Sequence, residues 1–254
     1  MGVTNGEPTA QISLYTANSS TALLCKEIVI DNGEIKKLPF HGLCDGKIET
    51  LSASLSSLES MFQKGLGRNQ ALGNGIRKPE FTDIPFITTK NKVKAGESIA
   101  RTKDFIEYSK DPAFCLLDSD NNDFTLQETR SNLLKIMPEL ENVGMLLVSS
   151  SSAGIHKSEE SPPEERKSSC HIYIIVECGE RIPDLGKFIE YRAWAHGFGH
   201  IKFSSTGAML KRHLFDDAVY SPERLIYEAP PILGTGISQL PREIIHIQGG
   251  MLQC

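Results

Sequence analysis

Residues 113–120 read AFCLLDSD, and this stretch decides the fold of the chain. A short, continuous apolar run predicts a strand that is buried on both faces. Because alternate side chains of a strand share a face, Asp118 and Asp120 are predicted to point the same way. Two carboxylates at the exit of a buried strand repel each other unless a cation neutralises them. This pair therefore predicts a site for Mg²⁺, which prefers oxygen ligands.

Further strands are predicted on both sides of this stretch. A hairpin is expected within residues 26–37, because Asn32-Gly33 is a typical two-residue turn between apolar runs. Other apolar runs predict strands at 145–148, 172–176, 201–203 and 214–220. The first 20 residues are polar, and the sequence predicts that they are frayed.

Three helices are predicted between these strands. Leu51, Leu55, Leu58 and Phe62 repeat at helical spacing, which predicts a helix over about 50–63. A capping-box pattern at Thr125 and Glu128 opens a second, and Pro138 stops it. A third is expected from Pro183 to Gly197, with His196 on its apolar face as a core residue. This alternation of strands and helices indicates an α/β or α+β fold.

Composition indicates a globular chain in a reducing compartment. Of the 254 residues, 39% are hydrophobic and 23% charged, enough for one large domain or two small ones. No apolar run approaches the roughly 18 residues that a membrane span needs, and the start of the chain has no signal-peptide pattern. The six cysteines include no Cys-x-x-Cys pair that would predict structural zinc. We therefore expect a soluble cytoplasmic protein with reduced thiols and no membrane partner.

Positive charge is concentrated in one region of an acidic chain. The formal net charge is −5, yet residues 68–103 contain eight basic and three acidic side chains. This pattern is typical of a solvated loop surface, and it also suits a surface that faces nucleic-acid phosphates. Both interpretations remain open from the sequence, and the second makes this stretch a candidate for template contact.

A second polar motif precedes the strand predicted at 172–176. If the extended conformation begins early, Lys167, Ser169 and His171 share one face. A cation, a hydroxyl and an imidazole together suit a triphosphate, since each can donate a hydrogen bond to it. The alternative is a loop lysine and an incidental histidine before a core strand.

A third motif places carboxylates after apolar residues, at Leu214-Phe215-Asp216-Asp217. Either aspartate could supply a further metal ligand if folding brings it close to Asp118, and an acidic turn is the alternative. Arg224 follows shortly afterwards and could meet a phosphate.

The order of these motifs resembles that of the archaeo-eukaryotic primase superfamily. The three motifs are Asp-x-Asp, Ser-x-His and an aspartate after an apolar residue, each attached to an apolar strand. Residues 100–105, 151–155 and 220–225 also resemble primase-polymerases of plasmids, phages and integrated elements. The resemblance covers roughly residues 97–235.

The resemblance implies a fold and a set of site residues. The fold would be a two-part α/β catalytic structure with a unit similar to an RNA-recognition motif and the site in the cleft between the parts. Residues 96–254 would form the catalytic core, and residues 1–95 the N-terminal, template-contacting part. Catalytic metal ions, Mg²⁺ or Mn²⁺, would be held by Asp118, Asp120 and Asp216. The nucleotide would be bound by Ser169 and His171, assisted by Lys167, Arg224 and Arg101.

The implied activity is that of a template-dependent DNA primase or polymerase. It would transfer nucleotides from an NTP or dNTP to a 3′-hydroxyl on a single-stranded DNA template, in the replication of a mobile element and with a helicase as partner. Three alternatives remain: a catalytically silent DNA-binding replication initiator, a template-independent nucleotidyltransferase, and a structural protein with chance motifs.

Overall fold

A computed structural model of the chain describes residues 6–18, 22–38, 42–162 and 166–253. Three α helices lie within these ranges: α1 (Leu55–Lys64), α2 (Leu126–Ile136) and α3 (Ile182–Ala195). The strands in the same ranges are β1 (Thr9–Ala17), β2 (Glu27–Asp31), β3 (Glu34–Leu38), β4 (Gly46–Ser54), β5 (Gln70–Gly73), β6 (Ile76–Arg77), β7 (Phe86–Thr88), β8 (Ile99–Ala100), β9 (Ile106–Glu107), β10 (Ala113–Ser119), β11 (Met145–Ser149), β12 (Ile155–Lys157), β13 (Cys170–Val176), β14 (His200–Phe203), β15 (Met209–Arg212), β16 (Ile232–Leu233), β17 (Ile237–Gln239) and β18 (Ile244–Ile247). The architecture is mixed α/β.

One large mixed sheet organises the molecule. Its strand order is β18-β11-β13-β10-β1-β4-β7-β8, and β5 also pairs with β1. β1 pairs with β4 along its full length. On its other edge it meets β10 in parallel at Gln11 and Ala113, and then β5 from Ser13 to Thr16. The predicted N-terminal part and the predicted catalytic core therefore contribute strands to the same sheet.

The prediction that the first 20 residues are frayed is wrong for residues 9–17, because β1 lies in the middle of the sheet. Residues 1–5, 19 and 20 lie outside the described part of the chain. Ile12 and Tyr15 of this strand are fully buried. Serine, threonine and glutamine dilute the apolar pattern, so composition alone misses it. The strand is held by main-chain pairing on both edges, and such pairing depends on partners that are distant in sequence.

The helix predicted at 50–63 begins later than expected. Residues up to Ser54 belong to β4, so Leu51 is a strand residue whose helical spacing from Leu55 is coincidental. The side chain of Ser54 accepts a hydrogen bond from the backbone of Ser57 at 3.2 Å and caps α1. By contrast, the hairpin turn is confirmed, with positive φ angles of 52° at Asn32 and 79° at Gly33.

The capping box of α2 is confirmed: Thr125 accepts from the backbone of Glu128, whose carboxylate accepts from the backbone of Thr125. The bounds of α3 also agree with the prediction. His196 is wrongly predicted as a core residue, because it is the exposed residue that ends this helix. The buried stripe of α3 runs instead through Ile182, Gly186, Ile189 and Ala193.

Residues 214–220 do not form the predicted strand. Leu214 and Phe215 are buried, and a short 3₁₀ helix follows at Asp217–Tyr220. The carboxylate of Asp216 accepts a hydrogen bond from the backbone of Ala218 at 3.2 Å and opens this turn. The apolar residues pack as a loop against the sheet, so an apolar run alone did not define a strand here.

The core surrounds the strand predicted from residues 113–120. Ala113 to Leu117 in β10 are at most 1% exposed, as are Leu146 and Leu147 of the neighbouring β11. Cys115 is a buried core residue, as its apolar neighbours predict. No helix in the described ranges is long and apolar enough to cross a membrane.

Candidate functional site

Asp118 and His171 form the centre of the site. Asp118 is the second-last residue of β10, and the antiparallel register places it directly opposite His171, the second residue of β13. Opposed residues of a ladder share a face of the sheet. The Nε2 atom of His171 lies 3.5 Å from Oδ1 of Asp118, and the two side chains are 13% and 21% exposed.

A buried glutamate that the sequence did not single out holds His171 in place. Nδ1 of His171 and the hydroxyl of Tyr173 each lie 2.5 Å from Oε1 of Glu228, which is completely buried. Its other oxygen, Oε2, accepts from Arg242 at 2.6 Å. Every oxygen of this carboxylate therefore has a partner, as a buried charge requires.

The charged groups in this network stabilise one another's ionised forms. Burial alone would raise the pKa of Glu228, but His171, Arg242 and the hydrogen bonds from His171 and Tyr173 outweigh it and lower that pKa to about 2. Burial likewise opposes protonation of His171, and the Glu228 charge and hydrogen bond, with Asp118, reverse this and raise its pKa. Because Nδ1 is engaged by Glu228, Nε2 is the ring nitrogen that faces the site.

Asp216 is brought to the same place by a main-chain contact. Its backbone N–H donates to the carbonyl oxygen of Asp118 at 2.8 Å. Asp217 is turned away, since its carboxylate lies 2.9 Å from Nε2 of His213. Of the two aspartates in the third motif, the structure brings Asp216 to Asp118.

Three carboxylates therefore influence one another. The pKa of Asp118 is raised, chiefly by burial, and the negative charges of Asp120 and Asp216 raise it further against the effect of His171 and Lys26. Asp120 itself is exposed just beyond the end of β10. Repulsion among these groups makes a positive ligand favourable at this end of β10.

Lys26 is a second residue that sequence reasoning missed. Its ammonium lies 3.2 Å from the hydroxyls of both Ser150 and Ser152, in the loop after β11. Burial lowers its pKa, while Asp118, Glu228 and Asp120 partly restore it. No motif surrounds Lys26 in the sequence, because its partners are more than 100 residues away.

The predicted nucleotide-binding residues divide into two groups. Ser169 lies beside the site: its N–H donates to the side chain of Asn122, and its carbonyl accepts from Ser150. It precedes β13, which begins at Cys170, so the extended conformation starts later than the prediction requires. Lys167 is exposed on the same connection, where its charge acts on Glu128.

The two arginines are placed differently. Arg101 donates to the main-chain oxygen of Glu223 at 2.6 Å, so it holds the segment that contains Arg224. Arg224 is exposed. Within the described residues, neither arginine forms a hydrogen bond or an ion pair with Asp118, Ser169 or His171.

An open cleft of about 460 Å³ begins at the carboxylates. Asp120, Asp216 and the loop 121–123 line this cleft. His200, Lys202 and Arg212 of the β14–β15 hairpin line it as well. The lining thus contains both acidic and basic side chains.

The donor set suits a divalent cation of the Mg²⁺ or Mn²⁺ type, since these metals prefer carboxylate oxygens. In the described part of the chain, no group of three or more His, Cys, Asp or Glu side chains is arranged to hold a metal ion. Mg²⁺ in nucleotide-dependent enzymes is usually bound by one or two carboxylates together with substrate phosphates and water, so a closed protein cage is not required.

Comparisons with protein-family models, with curated proteins and with solved structures found no match to this chain. The functional interpretation therefore rests on the chain's own residues.

Proposed function

We propose that this chain is a template-dependent DNA primase or polymerase that transfers a nucleotide from an NTP or dNTP to a 3′-hydroxyl. The observation that supports it best is the contact of Asp118 with His171 across two core strands, with Asp216 hydrogen-bonded to the main chain of Asp118. Acidic groups for metal ions and basic groups for phosphates meet there at the ends of two central strands, as phosphoryl transfer requires.

Asp118, Asp120 and Asp216 would hold the divalent cations. Bound there with the substrate phosphates, such ions supply charge stabilisation for the attacking and leaving oxygens. The effect of Asp120 and Asp216 on the pKa of Asp118 supports this role, since neighbouring negative charges are unfavourable without a cation.

The residues around Lys26 would bind the nucleotide's phosphates. Lys26, Ser150 and Ser152 form a compact set of donors beside Asp118, and the hydroxyl of the neighbouring Ser151 is buried without a hydrogen-bond partner in the described structure. A part-buried ammonium surrounded by several hydroxyls suits a compact polyphosphate. Diffuse positive charge on a surface suits it less well. Ser169 continues this set on the side of β13.

His171 would donate a hydrogen bond through Nε2, to a phosphate oxygen when nucleotide is bound and toward Asp118 otherwise. Glu228 and Arg242 act through His171 as positioning residues. They keep the ring in one orientation and favour its protonated form. Such anchoring limits the reorganisation that binding and transfer need.

The test is nucleotide incorporation by the purified protein. Labelled nucleotides, a single-stranded DNA template and Mg²⁺ or Mn²⁺ are incubated with wild type, with Asp118→Asn/Asp120→Asn, and with Asp104→Asn as a control at an exposed aspartate. We expect template-dependent products from wild type and from the control, and none from the double variant. A primer-free lane shows whether the protein starts chains de novo.

Other results separate the alternatives. Nucleotide and DNA binding without incorporation would support a silent replication initiator. Products that form equally well without template would support a template-independent nucleotidyltransferase. Equal incorporation by wild type and by the double variant would refute the assignment of these aspartates.

A further inference from the structure

The hairpin of β14 and β15 presents two chemically different faces. His200 and Lys202 alternate with Ile201 and Phe203 along β14, so the basic and the apolar side chains point to opposite sides. Arg212 pairs directly with His200 and therefore shares its face. These three basic residues line the cleft that begins at Asp120 and Asp216.

The opposite face of the hairpin lies outside this cleft. Lys211 pairs with Ile201, and its ammonium lies 3.6 Å from the carboxylate of Glu190 on α3. Phe203 and Met209 are 66% and 72% exposed beside it. The hairpin thus carries two lysines, Lys202 and Lys211, on neighbouring strands but on opposite faces.

We propose that the basic face of this hairpin binds the sugar–phosphate backbone of a nucleic-acid strand and leads its end to the carboxylates. The role of that strand as primer rests on the proposed function, but the binding itself does not. In the described residues, neither His200 nor Lys202 has an ion-pair partner, and Arg212 donates only to a main-chain oxygen of Lys211. The charges of Lys202 and Arg212 and the imidazole of His200 are available to a ligand in the cleft.

The spacing of these groups fits more than one phosphate. Two residues on the same face of a strand are about 6.6 Å apart, which is about two steps of the roughly 3.4 Å rise along the helix axis per phosphate of each strand of duplex DNA. His200 and Lys202 therefore match a run of phosphates better than a single one.

A nucleotide triphosphate fits this basic face less well. Among the described residues, Lys26 and His171 do not line the cleft: Lys26 contacts serine hydroxyls, and His171 contacts Asp118. Two separate phosphate-binding surfaces would then serve the carboxylates: a compact, part-buried one for the nucleotide and an open one for the strand. A transfer reaction between two substrates needs a separate binding surface for each of them.

The test measures DNA binding without nucleotide, so it does not depend on catalysis. Fluorescence anisotropy with a labelled primer–template and a labelled single strand gives Kd as a function of salt for wild type, Lys202→Gln, Arg212→Gln and their double variant. Lys211→Gln is the matched control on the opposite face. All of these side chains are exposed, so the variants should fold, and thermal unfolding checks this.

Each cleft-side variant is expected to weaken binding about three- to tenfold at low salt. The slope of log K against log salt should fall by about one per lost phosphate contact, and by about two in the double variant. Lys211→Gln should stay within twofold of wild type. Binding of a fluorescent nucleotide should be unchanged in all four variants.

Three results would overturn the proposal: wild-type affinity and slope in the double variant, an equal loss in Lys211→Gln, or a loss of nucleotide binding instead of strand binding. The outcome is separable from the proposed function. Strand binding through this face without any incorporation would reject the polymerase and keep the hairpin's role. Incorporation by wild type, together with unchanged DNA binding in the double variant, would keep the polymerase and reject the hairpin's role.

Discussion

Asp118 and His171 face each other across the ladder of two core strands, β10 and β13, with Oδ1 and Nε2 3.5 Å apart. The pair joins two sets of charges. On one side are the carboxylates of Asp120 and Asp216, and on the other the buried network of Glu228 and Arg242. We therefore expect mutations in the two sets to differ in their effect on the free energy of unfolding.

Replacing Asp118 should abolish activity without destabilising the protein. Its carboxylate is largely buried near two others, and its pKa is raised, so its charge opposes folding at neutral pH. We expect Asp118→Asn to leave the midpoint of urea unfolding unchanged or to raise it, while nucleotide incorporation falls at least a hundredfold. A marked loss of stability would show that the carboxylate is structural.

Replacing Glu228, by contrast, should destabilise the protein. Glu228→Gln removes a completely buried charge and leaves Arg242 and a protonated His171 without their counter-charge. Breaking a buried ion pair by removing one partner costs about 3–5 kcal/mol. Urea unfolding should show a loss of that size, whereas Glu49→Gln, at an exposed position of β4, should change stability by less than about 0.5 kcal/mol. Equal stability of the two variants would contradict the network.

The lowered pKa of Glu228 also predicts how the stability of the protein depends on pH. A free glutamate has a pKa of about 4.3, and the folded protein lowers that of Glu228 to about 2. Its contribution is therefore complete above about pH 4.3 and is lost as pH falls toward 2, by about 3 kcal/mol in total. The slope of unfolding free energy against pH in this window should be steeper in wild type than in Glu228→Gln. Parallel slopes would exclude the lowered pKa.

Lys26 should control nucleotide affinity. Lys26→Met keeps the length of the side chain but removes the ammonium that lies between Ser150 and Ser152. A hydrogen bond to a charged group contributes about 1.5–3 kcal/mol, so the Kd for a nucleoside triphosphate should rise about 10- to 100-fold. Lys64→Met, at an exposed position at the end of α1, is the control. DNA binding should be the same in both variants, and an unchanged nucleotide Kd in Lys26→Met would remove Lys26 from the site.

Local signals in the sequence predicted the local parts of this structure. The turn at Asn32-Gly33 and the capping box at Thr125 act over a few residues, and both are present. The apolar run before Asp118 predicted β10 because a strand that is buried on both faces consists mainly of apolar residues. The same reasoning located Asp118 and His171, which the register then placed opposite each other.

Features that depend on distant partners were not predictable in this way. β1 looks polar, and its place in the sheet follows only from pairing with β4, β5 and β10. Glu228 is 57 residues from His171, and no local pattern distinguishes it from a surface glutamate. The role of Lys26 depends on Ser150 and Ser152, which are separated from it by 124 and 126 residues in sequence. A single sequence carries no signal for such contacts.

The position of Arg242 along the chain has a consequence for biosynthesis. Translation produces His171 and Glu228 before it produces Arg242, the guanidinium that completes the buried network. A nascent chain that stops short of residue 242 must either keep a charged carboxylate in its interior without this counter-charge or leave that region unfolded. The buried network therefore cannot be complete before residue 242 has been synthesised.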